Sequence, residues 1–153
     1  MTTRISPVVV EPGAGHVLWI LGDDMTCKLD GSATGGTHTL YECSVPPGGG
    51  PPPHIHHRED ETFIILDGQM EFWIDGKTVR VSAGGTVFGP RGIPHAFKNP
   101  TGRPAKMLVL VTPAGIEHFF EELAREVKTL PPPVEKVVAV CAKHGIEILP
   151  PKS

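Results

Sequence analysis

The chain has no surplus of positive charge, no closely spaced cysteines and no long apolar run, and each absence closes off a class of function. Its net charge is -3 with 20% charged residues, so the basic footprint of a nucleic-acid or anionic-membrane binder is missing. Near the start the only apolar run is Val8-Val9-Val10, too short for a signal-peptide core or a membrane span. The expectation is a soluble, unprocessed, cytoplasmic protein with neither nucleic acid nor membrane among its partners. Cys27, Cys43 and Cys141 are odd in number and far apart, which predicts free thiols in a reducing compartment. Internal repeats and separating linkers are also lacking, so the 153 residues are expected to form one domain, 1–153.

Glycine and proline, by contrast, are plentiful at 18 and 17 residues, and they punctuate short apolar runs. From Gly35 to Pro113 those runs are rich in Val, Ile, Phe, Thr and Trp, the pattern of an all-β sandwich or barrel with a core over about 36–113. They are Thr37 to Val45, Glu61 to Leu66, Gln69 to Asp75, Lys77 to Val81, Thr86 to Phe88, His95 to Asn99 and Ala105 to Thr112. Asp75-Gly76 reads as a two-residue hairpin turn, where glycine accepts the positive φ required, and Asp67-Gly68 as another tight connection. Upstream, Val17 to Leu21 and Thr26 to Leu29 predict a further hairpin before an Asp30-Gly31 turn, supplying an outer or subunit-exchange strand.

Beyond Pro113 the apolar period changes from two to about 3.6. Ile116, Phe119, Phe120, Leu123 and Val127 define one helix over about 115–128, with Glu117, Glu121 and Glu122 early and Arg125 and Lys128 late, as the helix dipole favours. After Pro131 to Pro133, the residues Val134, Val137, Val138 and Cys141 define a second over about 133–144, stopping at Gly145. Both helices are expected to cover one end of the barrel, followed by a short extended tail, Ile146 to Leu149.

The chemically informative stretch is Pro51 to Glu61. Side chains alternate along a strand, so His54 and His56 share one face while Ile55 and His57 share the other. Glu61 lies at an odd offset from His56, so the chain must turn within His57 to Asp60, a polar tetrapeptide suited to turning. Glu61 then opens the next strand facing the same interior, and two imidazoles and a carboxylate form a ligand set for Fe, Mn, Co, Ni or Zn. His95, opening a strand after the Gly92-Ile93-Pro94 turn, is the fourth candidate.

These stretches carry a resemblance. Gly48, His54, His56, Glu61 and Gly68 match the spacing of the first cupin motif, and Gly84, Pro90, Gly92, His95 and Asn99 that of the second. The resemblance implies a double-stranded β-helix, or jelly-roll barrel, with two C-terminal helices appended here. One divalent transition metal would lie inside it on His54, His56, Glu61 and His95, and the intermotif residues Gln69 to Ala83 would carry two strands and a hairpin. Pro46 to Glu61, the following Phe63-x-x-Leu66-x-Gly68, the helix from Gly115 and the ending His144-Gly145-Ile146-Glu147 look similar to small quercetin 2,3-dioxygenase-like cupins.

By strand parity His57 is expected at the surface or in the turn, and Glu59 is the fallback carboxylate ligand. His16, His38, His118 and His144 lack ligand spacing. If Glu61 points inward, so do Phe63 and Ile65, and on neighbouring strands Met70, Phe72, Ile74 and Phe97 would face the same interior. Phe63, Ile65, Met70, Phe72 and Phe97 are therefore candidates to line a substrate pocket, each equally readable as core.

Three histidines and one carboxylate leave coordination positions open on a six-coordinate ion, as catalysis requires. The leading expectation, by resemblance, is a dioxygenase acting on a small hydroxylated aromatic or enolic, flavonol-type molecule, with Glu61 both ligand and proton acceptor. Other metal-cupin chemistry (isomerisation, decarboxylation or hydrolysis) and a non-catalytic module binding a metal or small ligand are the alternatives. A homodimer paired through outer strands is expected by the same resemblance.

Overall fold

The computed structural model describes residues 4–150. Among these residues eleven strands and three helices follow one another in the order β1 (His16–Ile20), β2 (Asp23–Leu29), α1 (Gly31–Thr34), β3 (Thr39–Val45), β4 (His54–His56), β5 (Asp60–Asp67), β6 (Gln69–Ile74), β7 (Lys77–Ser82), β8 (Thr86–Gly89), β9 (His95–Lys98), β10 (Ala105–Thr112), α2 (Ile116–Glu126), α3 (Val134–Lys143) and β11 (Ile146–Ile148). A six-stranded sheet runs β1-β2-β3-β10-β5-β8 and a five-stranded sheet β11-β4-β9-β6-β7, all pairs antiparallel. The architecture is the jelly roll, mostly β, that the motifs imply.

Period-two patterning makes the sheets face each other. On β3, Thr39, Tyr41, Cys43 and Val45 are buried, and on β10 Ala105, Met107, Val109 and Val111, while the residues between them are only half-buried or exposed. Glu61, Phe63 and Ile65 repeat the pattern on β5, in register with Val111, Val109 and Met107. From the other sheet, Phe72 brings its ring centroid to 5.1 Å from Phe63, closing the layer. Each large apolar side chain so buried contributes about 1.5–3 kcal/mol, and one cluster of such residues runs through both sheets and the two long helices.

The turns follow the expected chemistry with one shift. Asp75 and Gly76, at φ 48° and 81°, join β6 to β7, pairing Ile74 with Lys77. The first hairpin turns at Leu21-Gly22, so Asp23 and Asp24, expected in the connection between Leu21 and Thr26, belong to β2. Asp30 instead caps α1, its carboxylate accepting from the Ala33 amide at 3.0 Å. The hairpin lies at the outer edge of the larger sheet.

On α2 the buried face is Ile116, Phe119, Phe120 and Leu123, as the spacing predicts. On α3 it is Val137, Val140 and Cys141, whereas Val134 and Val138, expected inward, are exposed. The Glu122 carboxylate fastens the two together, 2.6 Å from His144 Nε2 and accepting from Lys143 Nζ at 2.8 Å. The final extended tail is a true strand, β11, paired with β4. Cys27, Cys43 and Cys141 are free thiols, and among the described residues no helix is long and apolar enough to cross a membrane.

Candidate metal centre

His54 and His56 stand on β4, held between β9 and β11: His54 pairs with His95 on one side, and Ile148 and Ile146 face His54 and His56 on the other. Glu61 comes from β5 in the opposite sheet. Gly50, in the loop leading to β4, allows the approach of β9. Its φ is 138°, and a Cβ there would fall only 1.9 Å from the Phe97 carbonyl oxygen. Asn99 fixes the far end of β9, donating from Nδ2 to the Val45 and Arg103 carbonyls at 3.0 and 2.8 Å.

One ligand atom from each of His54, His56, Glu61 and His95 lies within 4.8 Å of the others, and all four side chains are buried. Donors bound at about 2.0–2.2 Å to a common ion are separated by about 3–4 Å, so only slight contraction is needed. The outward imidazole nitrogens are engaged. His54 Nδ1 donates to the Pro52 carbonyl at 2.8 Å, His95 Nδ1 faces the Ile93 carbonyl at 3.2 Å, and His56 Nδ1 lies 3.4 Å from Glu59 Oε2. With Nδ1 so occupied, Nε2 of each ring is the atom left for the centre, the arrangement that orients metal-binding histidines.

The electrostatics also favour a cation. Glu61 Oε2 lies 2.7 Å from His95 Nε2 and 3.3 Å from His56 Nε2. Burial alone would raise the Glu61 carboxyl, but the neighbouring His56 and His95 outweigh it and hold it at about 2. Burial likewise disfavours a charged His56, yet Glu61 and Glu59 reverse the effect and raise it. His54 is pushed down to about 4 by burial and by His95 and His56, so it offers a neutral donor. Three nitrogens, one ionised carboxylate and a second buried carboxylate behind His56 suit a divalent ion.

Glu59 thus stands behind His56, at 7% exposure. His57 points outward, its Nε2 2.9 Å from Glu147 Oε2. Beside the cluster is a cavity of about 90 Å³. Phe63 and Phe97 line it, their ring centroids 5.8 Å apart. Ile65, Met70 and Phe72, expected with them, do not reach its wall. For Met70 the register explains why: His95 is opposite Ile74, so Met70 lies four residues along β6 from the cluster; all three side chains pack as core at 0–1% exposure. Ile74 itself is only half-buried.

Part of the wall carries no signal in the sequence. Phe119, Phe120 and Leu123 of α2 and Val137 and Cys141 of α3 line the cavity, so the helices do more than cover the barrel. Asp23 lines it too. Neither contribution carries a local motif, because each depends on contacts between distant segments.

Residues 41–111 match the family model described as the cupin domain. The chain is 29% identical over 118 residues to quercetin 2,3-dioxygenase of Bacillus subtilis (strain 168), covering 76% of this chain and 34% of that protein. It therefore spans about a third of the length of that relative. Among solved structures, a predicted oxalate decarboxylase from Thermotoga maritima superposes with a TM-score of 0.63 at 24% identity, over 69% of this chain and 98% of the other. An oxalate oxidase superposes with a TM-score of 0.53 at 29% identity, over 62% and 54%.

Proposed function

We propose that the protein, whose residues 41–111 match the cupin-domain model, is a metal-dependent oxygenase acting on a compact, enolic or hydroxylated small molecule. The observation that carries this reading is the convergence of His54, His56, Glu61 and His95, all buried, with the first three lining a cavity whose remaining wall is mostly apolar. The four residues are assigned as ligands of one divalent ion, drawn from Fe, Mn, Co, Ni and Zn. Bound there, such an ion supplies Lewis-acid polarisation of a substrate oxygen.

The chain supplies the rest. Glu61, held ionised by its imidazole neighbours, is the carboxylate placed to take a proton from a substrate hydroxyl. Phe63, Phe97 and Phe119 exclude water from that exchange, raising the strength of every polar contact inside. Cavity size sets the substrate scale: an apolar cavity of about 150 Å³ holds benzene, so about 90 Å³ favours the compact end of the range over a flavonol. The same observation supports a second reading, oxidation or decarboxylation of a compact acid, given the likeness to an oxalate oxidase.

The test is oxygen uptake by metal-loaded protein on a panel running from flavonols through catechol and small enediols to oxalate, beside Glu61→Gln. Uptake with a small enediol, abolished in Glu61→Gln, is the expected result. Uptake or carbon dioxide release with oxalate alone moves the assignment to the second reading. Metal bound with no turnover of any compound refutes both and leaves a binding module. A homodimer through the β1 edge, where Val17 and Trp19 are exposed, is carried as part of the proposal, and sedimentation at monomer mass refutes it.

A further inference from the structure

Asp23 opens β2 directly after the Leu21-Gly22 turn, yet it is 7% exposed. Its Oδ1 is fully buried and meets no hydrogen-bond partner among the described residues. It lines the same cavity as His54, His56 and Glu61, with apolar wall from Ile20, Met25 and Phe97. A Cβ placed on Gly49 would lie 3.0 Å from this oxygen, so the glycine leaves the carboxyl room against the loop that leads to His54.

A buried carboxyl oxygen without a partner is costly, and native proteins rarely keep one that the fold does not use. This oxygen ties nothing to anything in the fold, and the residue that carries it lines a space where a ligand would sit. We propose that Asp23 is the substrate-recognition group of the cavity, bonding a hydroxyl at one end of a compact molecule whose other end rests at the His54, His56, Glu61 and His95 cluster. The inference rests on the small-molecule reading given above and specifies its substrate: oxygen donors at both ends and a short apolar middle.

The choice of hydroxyl follows from charge. Burial, and then the neighbouring Asp24, push the Asp23 carboxyl up to about 7. Near neutral pH it is therefore present in both forms, one donating and one accepting. A hydroxyl, which donates and accepts, satisfies either. The Cys43 thiol from β3, pushed up chiefly by its own burial and next by Asp23, stays neutral beside it.

The experiment is calorimetric titration of zinc-loaded wild type, Asp23→Asn and Asp23→Val with 3-hydroxypropionate and with propionate, probes that differ by one hydroxyl. Wild type is expected to prefer the hydroxy acid by about tenfold, the scale of one hydrogen bond to a partly charged group. In Asp23→Val the preference collapses while propionate affinity holds, and in Asp23→Asn part of it survives. Unliganded variants melt at or above the wild-type temperature. A preference that persists in Asp23→Val, or that is absent from wild type although propionate binds, overturns the assignment. So does a lower melting temperature in both variants, which makes Asp23 a structural residue. Binding of neither probe to wild type overturns the small-molecule reading first and the role of Asp23 with it.

Discussion

Replacing Asp23 by asparagine should stabilise the protein at alkaline pH and leave it almost unchanged in acid. An unperturbed aspartate gives up its proton near 3.8, whereas burial and Asp24 carry Asp23 to about 7 in the folded chain. Between those values the folded state holds a proton that the unfolded state has released. Stability on this account therefore falls as pH rises through the window and is fully lost above 7. At 1.36 kcal/mol per pH unit the whole effect is at most about 4 kcal/mol, and relaxation or hydration of the carboxylate reduces it. Asparagine has no proton to lose. Urea unfolding of both proteins under the same metal load at pH 4, 6 and 8 cancels every titration they share. The expected difference is near zero at pH 4 and about 1–4 kcal/mol in favour of Asp23→Asn at pH 8. A difference that does not change with pH, or an asparagine variant less stable at pH 8, refutes the reasoning.

Glu117 is the opposite case. Its carboxylate accepts from the Gly31 amide at 2.8 Å, Thr39 Oγ1 at 2.7 Å and the Gly115 amide at 2.8 Å. Burial raises it, but these bonds outweigh burial and hold it below its ordinary value. Glu117→Ala should cost about 2–4 kcal/mol in denaturant unfolding near neutral pH, a gap that narrows as pH falls through the carboxylate range; a gap constant from pH 7 to pH 3 counts against this. Glu59→Ala, which removes the carboxylate behind His56 Nδ1, should weaken metal affinity by about 10–100-fold with little change in circular dichroism. Competition against a chelator measures it, and unchanged affinity contradicts the supporting role.

How much was legible in the sequence follows from the range of the interactions involved. His54 and His56 share a face by parity alone, and the polar run His57 to Asp60 announces the turn that brings Glu61 to the same interior. The Asp75-Gly76 hairpin is equally local. Strand pairing is not: nothing near Ile146 says that it lies opposite His56, and nothing in α2 says that Phe119 and Phe120 turn toward the cavity. The α3 stripe differs from its spacing because Val134, Val138 and Val140 have the same side chain, and only the neighbours of the helix decide which are covered. Asp23-Asp24 after a glycine reads as solvated turn, since burial of a carboxyl leaves no trace in residue type. Ile65, Met70 and Phe72 point inward as parity requires, but parity fixes the face of a residue and not its distance along the barrel from the ligands.

On this reading four side chains from two facing sheets hold one metal ion. The most direct test is elemental analysis of freshly purified protein beside His54→Ala and His95→Ala, each also dialysed against Fe, Mn, Co, Ni and Zn salts and desalted. Close to one equivalent of a divalent transition metal is expected in the wild type and a small fraction of that in either variant. Wild type that retains no metal under any of these conditions, or variants that retain as much as wild type, would contradict it.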